Sequence, residues 1–211
     1  MRGQVAELVA ETPPAQRAEW DRAIQSRLLS DAIYRRSKVI HCYLSLPDEV
    51  ATERVVRSAL ADGKRLVVPV MAPQDRELMH VEIADYDHEL VAGKWGILTP
   101  RSGVGLSVDP SEVDLFIVPG AVFDLRGYRL GRGLGYYDRC LSRVKGRAVI
   151  CAAAYELQVI DDVPVEAHDV PVDYIVTEQR IIVCHNGGRI SHVGATSRPP
   201  ALGVEHDRPN Y

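Results

Sequence analysis

From residue 2 to about residue 184, apolar and polar positions fall into blocks that switch between a helical and an extended period. Residues 2–10 and 15–29 have helical spacing and are separated by Thr12-Pro13-Pro14, because proline starts a helix readily and resists its interior. Residues 39–44 form an apolar run of strand length. Thr52 is a suitable cap for a helix reaching Asp62, with Val55, Val56, Ala59 and Leu60 as its apolar stripe and Gly63 placed to end it. Residues 65–70 make the next strand. A strand, a helix and a strand in that order imply parallel pairing through a right-handed crossover. Further strands are expected at 78–83, 115–118, 148–153 and 174–177, with an edge strand at 180–184. The pattern predicts a three-layer α/β/α single domain with a mostly parallel sheet, spanning residues 1–186. Residues 187–211 lack periodicity, are rich in Gly and Pro, and are expected to be a disordered tail.

Bulk properties narrow the function classes. A chain of 211 residues with 46% hydrophobic composition supports one well-cored domain. With 25 Lys+Arg against 29 Asp+Glu it lacks the broad basic field of a nucleic-acid protein. Cys42, Cys140, Cys151 and Cys184 form no CxxC pair, and three of them lie in apolar runs, which predicts buried reduced thiols and a cytoplasmic location. No apolar run reaches membrane-spanning length, and MRGQVAELVAETPP lacks a signal-peptide core. The seven histidines give no HExxH pattern, and no GxSxG is present, so zinc chemistry and nucleophilic hydrolysis are not expected.

The chemistry concentrates in residues 118–141, VPGAVFDLRGYRLGRGLGYYDRCL. Gly127, Gly131, Gly133 and Gly135 would let the backbone turn through positive φ and aim several N–H groups at one anion. Arg129 and Arg132 add fixed positive charge, and a helix beginning after Gly135 would present its unsatisfied N–H groups to the same place. Asp138 then stands where a hard cation bridging protein and phosphate needs an oxygen ligand. The segment is neither GxxxxGK[ST] nor GxGxxG, so it is a different kind of phosphate loop. Asp124 and Gly127 fit positions i and i+3 of a type I turn, which makes Asp124 structural.

PGAVFDLRGYRLGRGLGYYDRCL resembles the signature of the 5-formyltetrahydrofolate cyclo-ligase family, roughly PGxxFDxxGxRLGxGxGYYDRxL. Leu44-Ser45-Leu46-Pro47-Asp48-Glu49-Val50, Lys94-Trp95-Gly96-Ile97 and His168-Asp169-Val170-Pro171-Val172-Asp173 resemble further family segments in order and spacing, so the resemblance covers about residues 2 to 182. It implies an ATP-dependent closure of 5-formyltetrahydrofolate to 5,10-methenyltetrahydrofolate with release of ADP and phosphate. By the same resemblance ATP would meet Arg2, Arg129, Leu130, Gly131 and Arg132, and beyond them Gly133, Leu134, Gly135, Tyr136 and Tyr137. The reduced folate, polyglutamylated or not, would meet Glu49 and would share Arg132, Gly133, Leu134, Gly135 and Tyr136. Tyr43, Leu44 and Trp95 suit either the apolar walls of a site for a flat heterocycle or the core, and Tyr136 and Tyr137 carry the same two readings. Arg132 and Tyr136 are the candidates to act on the reacting groups. Asp138 and Asp169 would hold Mg²⁺, so Asp138→Asn is expected to act mainly on activity. The implied protein is a monomer or small homo-oligomer.

Three departures from the family pattern stand out. A lysine usual a few residues before Arg2 is missing, which leaves open an upstream start or weaker nucleotide binding; Leu134 occupies a position often Gly or Lys; and Thr99 precedes Pro100 where Glu is common. Two other readings therefore stand beside the enzyme: a catalytically weak paralogue, and a regulatory module binding a nucleotide, a folate or a phosphorylated metabolite.

Overall fold

The computed structural model describes residues 1–72, 77–93 and 98–184. Trp95 and the expected tail at 187–211 lie outside the described residues.

Helices α1 (Arg2–Glu11), α2 (Pro14–Ser30) and α3 (Ala32–Arg36) precede strand β1 (Val39–Cys42), and α4 (Glu53–Ala61) connects β1 to β2 (Arg65–Ala72). Strand β3 (Glu77–Ile83) follows, then α5 (Tyr86–Glu89), β4 (Leu90–Ala92), β5 (Leu98–Pro100) and β6 (Leu106–Ser107). The second half contains β7 (Leu115–Val118), β8 (Val122–Asp124), β9 (Arg129–Leu130), α6 (Tyr136–Val144) and β10 (Val149–Ala153). Strands β11 (Val159–Ile160), β12 (Tyr174–Val176) and β13 (Ile181–Val183) complete it.

The main sheet runs β13-β12-β10-β7-β1-β2-β3-β6. From β12 to β2 every pairing is parallel, whereas β13, β3 and β6 join their inner neighbours antiparallel. The expected mostly parallel sheet is therefore present, with an antiparallel margin on each side. Parallel strands covered on both faces need apolar residues at every position, and β1 and β7 are buried throughout. Alternate residues serve the two faces. Ile40, Cys42, Leu66, Leu115 and Ile117 pack with residues of α1 to α4, while Val39, Val67, Phe116, Val118 and Ile150 pack with Cys140, Leu141 and Val144 of α6. These two cores on opposite faces are the expected three layers.

The expected strands and helices match to within a few residues. Residue Thr52 differs in its role. It stands at the N-cap of α4 without capping it, and its hydroxyl donates instead to the Tyr43 carbonyl at 2.7 Å. Gly63, at φ 69°, ends α4 as expected. A small second sheet, β11-β8-β9, was not anticipated, and its apolar side residues pack with Val5 of α1.

One core residue is chemically out of place. His41 is completely buried in β1, its ring 4.8 Å from that of Phe116 and 5.2 Å from that of His80, and neither ring nitrogen has a hydrogen-bond partner among the described residues. Tyr137 meets the ring edge-on at 6.3 Å. Burial, aided by the neighbouring His80, holds the His41 imidazole well below its ordinary pKa, and burial does the same more mildly to His80, with Arg143 opposed by Asp109 and Glu77. Both groups are lowered in the folded state, so the unfolded chain binds protons first as pH falls below about 6.5, and stability declines there by up to about 1.4 kcal/mol per pH unit for each proton. Thermal melts from pH 7.5 to 5 should show this decline, and His41→Leu should flatten it. An unchanged slope in His41→Leu would assign the acid sensitivity elsewhere.

Candidate functional site

The glycine loop lies between β9 and α6 and is closed at its base by one ion pair. Arg129 leaves β9 with only 4% of its side chain exposed, and its Nη2 donates to Asp138 Oδ1 at 2.9 Å while Nη1 donates to the Val170 carbonyl at 2.6 Å. The Val170 amide in turn donates to the same Asp138 oxygen at 3.2 Å. Burial pulls the Arg129 guanidinium below its ordinary pKa, opposed mainly by the charge of Asp138. Arg129, expected to offset phosphate charge, here ties β9, α6 and the 170 segment together from inside.

Arg132 points the other way, toward solvent and the loop that carries Asp48 and Glu49. Its Nη2 donates to both carboxylate oxygens of Asp48, at 2.8 and 2.9 Å, and its Nε lies 3.7 Å from Glu49. Arg2, in the first turn of α1, donates to the Gly131 carbonyl at 3.0 Å, so the N-terminal arginine does reach this loop. Gly133 and Gly135 take positive φ, at 88° and 64°, and Gly135 is the N-cap of α6. Gly131 does not, contrary to expectation. Gly127, at φ 90°, closes the Asp124 turn through its amide to the Asp124 carbonyl at 2.9 Å, and a Cβ there would collide with the Val172 carbonyl. Asp124 is fully buried and accepts bonds from Arg126, Tyr128 and Val163, the structural role expected of it.

Leu130 pairs with Val122 in the small sheet, whereas Leu134 is exposed at the loop tip. Tyr136 opens α6 with the Arg139 guanidinium 5.5 Å from its ring centre. The Tyr137 hydroxyl is buried without a partner among the described residues. Tyr43 and Leu44 are buried beyond the end of β1, and the Tyr43 hydroxyl is committed to the Val50 carbonyl at 2.8 Å. Glu49 is mostly buried; desolvation raises its pKa, and its Oε2 accepts from the Leu46 amide at 3.0 Å. Asp169 Oδ2 accepts from the Glu166 amide at 2.7 Å. Asp169 directly precedes Val170, whose amide is bound to Asp138, and both carboxylates act on Arg129. The described residues contain no cluster of three or more His, Cys, Asp or Glu side chains that could hold a metal ion.

Asp48 is the contact that sequence reasoning missed. It stood inside a quoted motif, but nothing in the sequence pairs it with a residue 84 positions away.

The model of the 5-formyltetrahydrofolate cyclo-ligase family matches residues 1–178. A protein of Mus musculus named 5-formyltetrahydrofolate cyclo-ligase is 32% identical over 171 residues, covering 75% of this chain and 84% of that protein. The protein of the same name from Escherichia coli strain K12 is 27% identical over 169 residues, covering 80% and 93%. Among solved structures, the Aquifex aeolicus 5,10-methenyltetrahydrofolate synthetase superposes with a TM-score of 0.76 at 32% identity, covering 91% of this chain and 95% of that one. With the glycine loop, its arginines and the Glu49 loop assembled on such a sheet, the chain belongs to the 5-formyltetrahydrofolate cyclo-ligase family.

Proposed function

We propose that the protein closes 5-formyltetrahydrofolate to 5,10-methenyltetrahydrofolate at the expense of ATP, releasing ADP and phosphate. The observation that carries this reading is the meeting of two loops through Arg132, one suited to phosphate and the other bearing Glu49. A reaction that passes a phosphoryl group from a nucleotide to a folate needs both within reach of one cation.

The formyl group is an amide, with a poor electrophile at carbon and a poor leaving group at oxygen. Transfer of the γ-phosphoryl group to the formyl oxygen makes that oxygen part of a leaving phosphate. The anilino nitrogen then attacks the formyl carbon and loses its proton as the carbon–oxygen bond breaks. Such chemistry asks the protein for alignment and charge stabilisation and needs no covalent nucleophile. Arg132 is placed to exchange Asp48 for phosphate oxygens, and Arg2 adds positive charge beside Gly131. The N-terminus of α6, opened by Gly135, offers backbone N–H groups to the same anion. Tyr136, the first residue of that helix, would act on the reacting groups, and Glu49 would accept hydrogen bonds from the pterin. Asp138 and Asp169 would hold Mg²⁺, which when bound offsets phosphate charge. The four cysteines are free and buried, which supports the cytoplasmic reading.

Absorbance of the methenyl product should appear from 5-formyltetrahydrofolate only with ATP and Mg²⁺ both present, and turnover with the metal fully chelated would sink this mechanism. The two arginines should separate cleanly. Arg132→Met is exposed in the free protein and should keep the melting temperature while lowering kcat/KM about 100-fold, the usual effect of removing one preorganised electrostatic group. Arg129→Met leaves Asp138 uncompensated and should cost about 3 kcal/mol of stability, as breaking a buried pair does. Asp138→Asn should now lose stability as well as activity, because it weakens the same pair. Melts that rank Arg132→Met below Arg129→Met would reverse the two assignments.

A further inference from the structure

Arg17, Asp21 and Gln25 fall at i, i+4 and i+8 of α2, so they line one face of that helix. Each meets a backbone group of the segment that carries Glu49 into α4. Arg17 Nη1 donates to the Pro47 carbonyl at 3.3 Å, the Ala51 amide donates to Asp21 Oδ1 at 3.1 Å, and the Arg54 amide donates to Gln25 Oε1 at 3.1 Å. The side-chain chemistry suits each rung: proline has no N–H and meets a cation, whereas the two amides meet acceptors.

The rungs are themselves fixed. Gln25 Nε2 donates to the Asp21 carbonyl at 3.0 Å, which turns its amide oxygen toward Arg54. Asp21 Oδ1 also accepts from the Tyr155 hydroxyl at 2.9 Å, anchoring the middle rung to the loop after β10. The top rung serves an orphan helix donor, since Arg54 lies in the first turn of α4 where Thr52 makes no side-chain cap. The bottom rung is poorly explained by stability alone, because Arg17 buries its Nε without a partner among the described residues. Such a donor costs free energy, so the position of the guanidinium has to matter for another reason.

Glu49 sits between the first and second rungs, and the three rung hydrogen bonds go to Pro47, Ala51 and Arg54 rather than to the glycine loop. We infer that Arg17, Asp21 and Gln25 are positioning residues for the folate: they hold residues 47–54 in the binding arrangement before the ligand arrives, so that Glu49 needs no ordering on binding. This rests on the function proposed above. The effect falls on folate affinity, and nucleotide affinity is left nearly as it is.

The test uses the full chain with Asp21→Ala, which deletes the middle rung, and Asp21→Asn, which keeps an acceptor oxygen. Asp21→Ala should raise KM for 5-formyltetrahydrofolate about 10-fold, a shift equivalent to about 1.4 kcal/mol of binding. KM for ATP should stay within about 2-fold, and Asp21→Asn should recover most of the loss. Hydrogen exchange should show the Ala51 and Arg54 amides losing protection in Asp21→Ala. Should that variant fail to fold, Arg17→Ala at the bottom rung, with Arg17→Lys as its rescue, carries the same expectation. An equal rise in both Michaelis constants, an unchanged folate constant, or no recovery by the conservative variant overturns the ladder while leaving the activity intact. A wild-type protein that neither turns over nor binds 5-formyltetrahydrofolate overturns the proposed function and the ladder together.

Discussion

The buried pair between Arg129 and Asp138 is the contact on which the rest of the site depends. A guanidinium taken out of water has to be compensated on the spot, and here the partners are one carboxylate from α6 and one carbonyl from the 170 segment. Because residues 129 and 138 are joined directly, the glycine loop between them is closed at its base. The start of α6 cannot swing away from β9 without leaving a charge unpaired. That constraint makes an otherwise glycine-rich connection a defined cradle, and it sets the Asp169-Val170 turn beside it through the Val170 amide.

The central strands were legible because burial on both faces demands long apolar runs, and residues 115–118 read as a strand with the bounds the structure gives. The short margins were not. Strands β8, β9 and β11 have two or three residues each, too few for a period to show, and they exist because they pack on Val5 of α1. Charge was legible as composition but not as depth. Arg129 and Arg132 are three residues apart in a loop, yet one is almost fully buried and the other is 58% exposed. Only the three-dimensional path of the chain decides between them. His41 is a parallel case: its place in an apolar run located the strand, while the absence of any partner for its ring among the described residues could not be inferred from sequence.

Arg2 shows how a local signal changes meaning on folding. An arginine side chain on an exposed segment has conformational freedom to lose on binding an anion. In the fold its donor already reaches the Gly131 carbonyl, and α1 is held by Val5 and Val9 in two different cores. On the proposed reading, part of the ordering cost is therefore met before a nucleotide would bind.

The contact between Arg132 and Asp48 is of the opposite kind from that at Arg129. Both side chains are more than half exposed, at 58% and 66%, so water and salt screen their attraction and the pair contributes little to stability. A weak tie is what a binding arginine requires on the proposed reading. It keeps the guanidinium directed at the Glu49 loop in the free protein, and a polyphosphate with several charges can displace a single carboxylate without a large penalty. The exchange would free Asp48 while Glu49, more buried and held by the Leu46 amide, stays in place. The two loops thus meet through one side chain, and the weakness of that tie, set by how exposed the pair is, would let the glycine loop be occupied without reshaping residues 47–54.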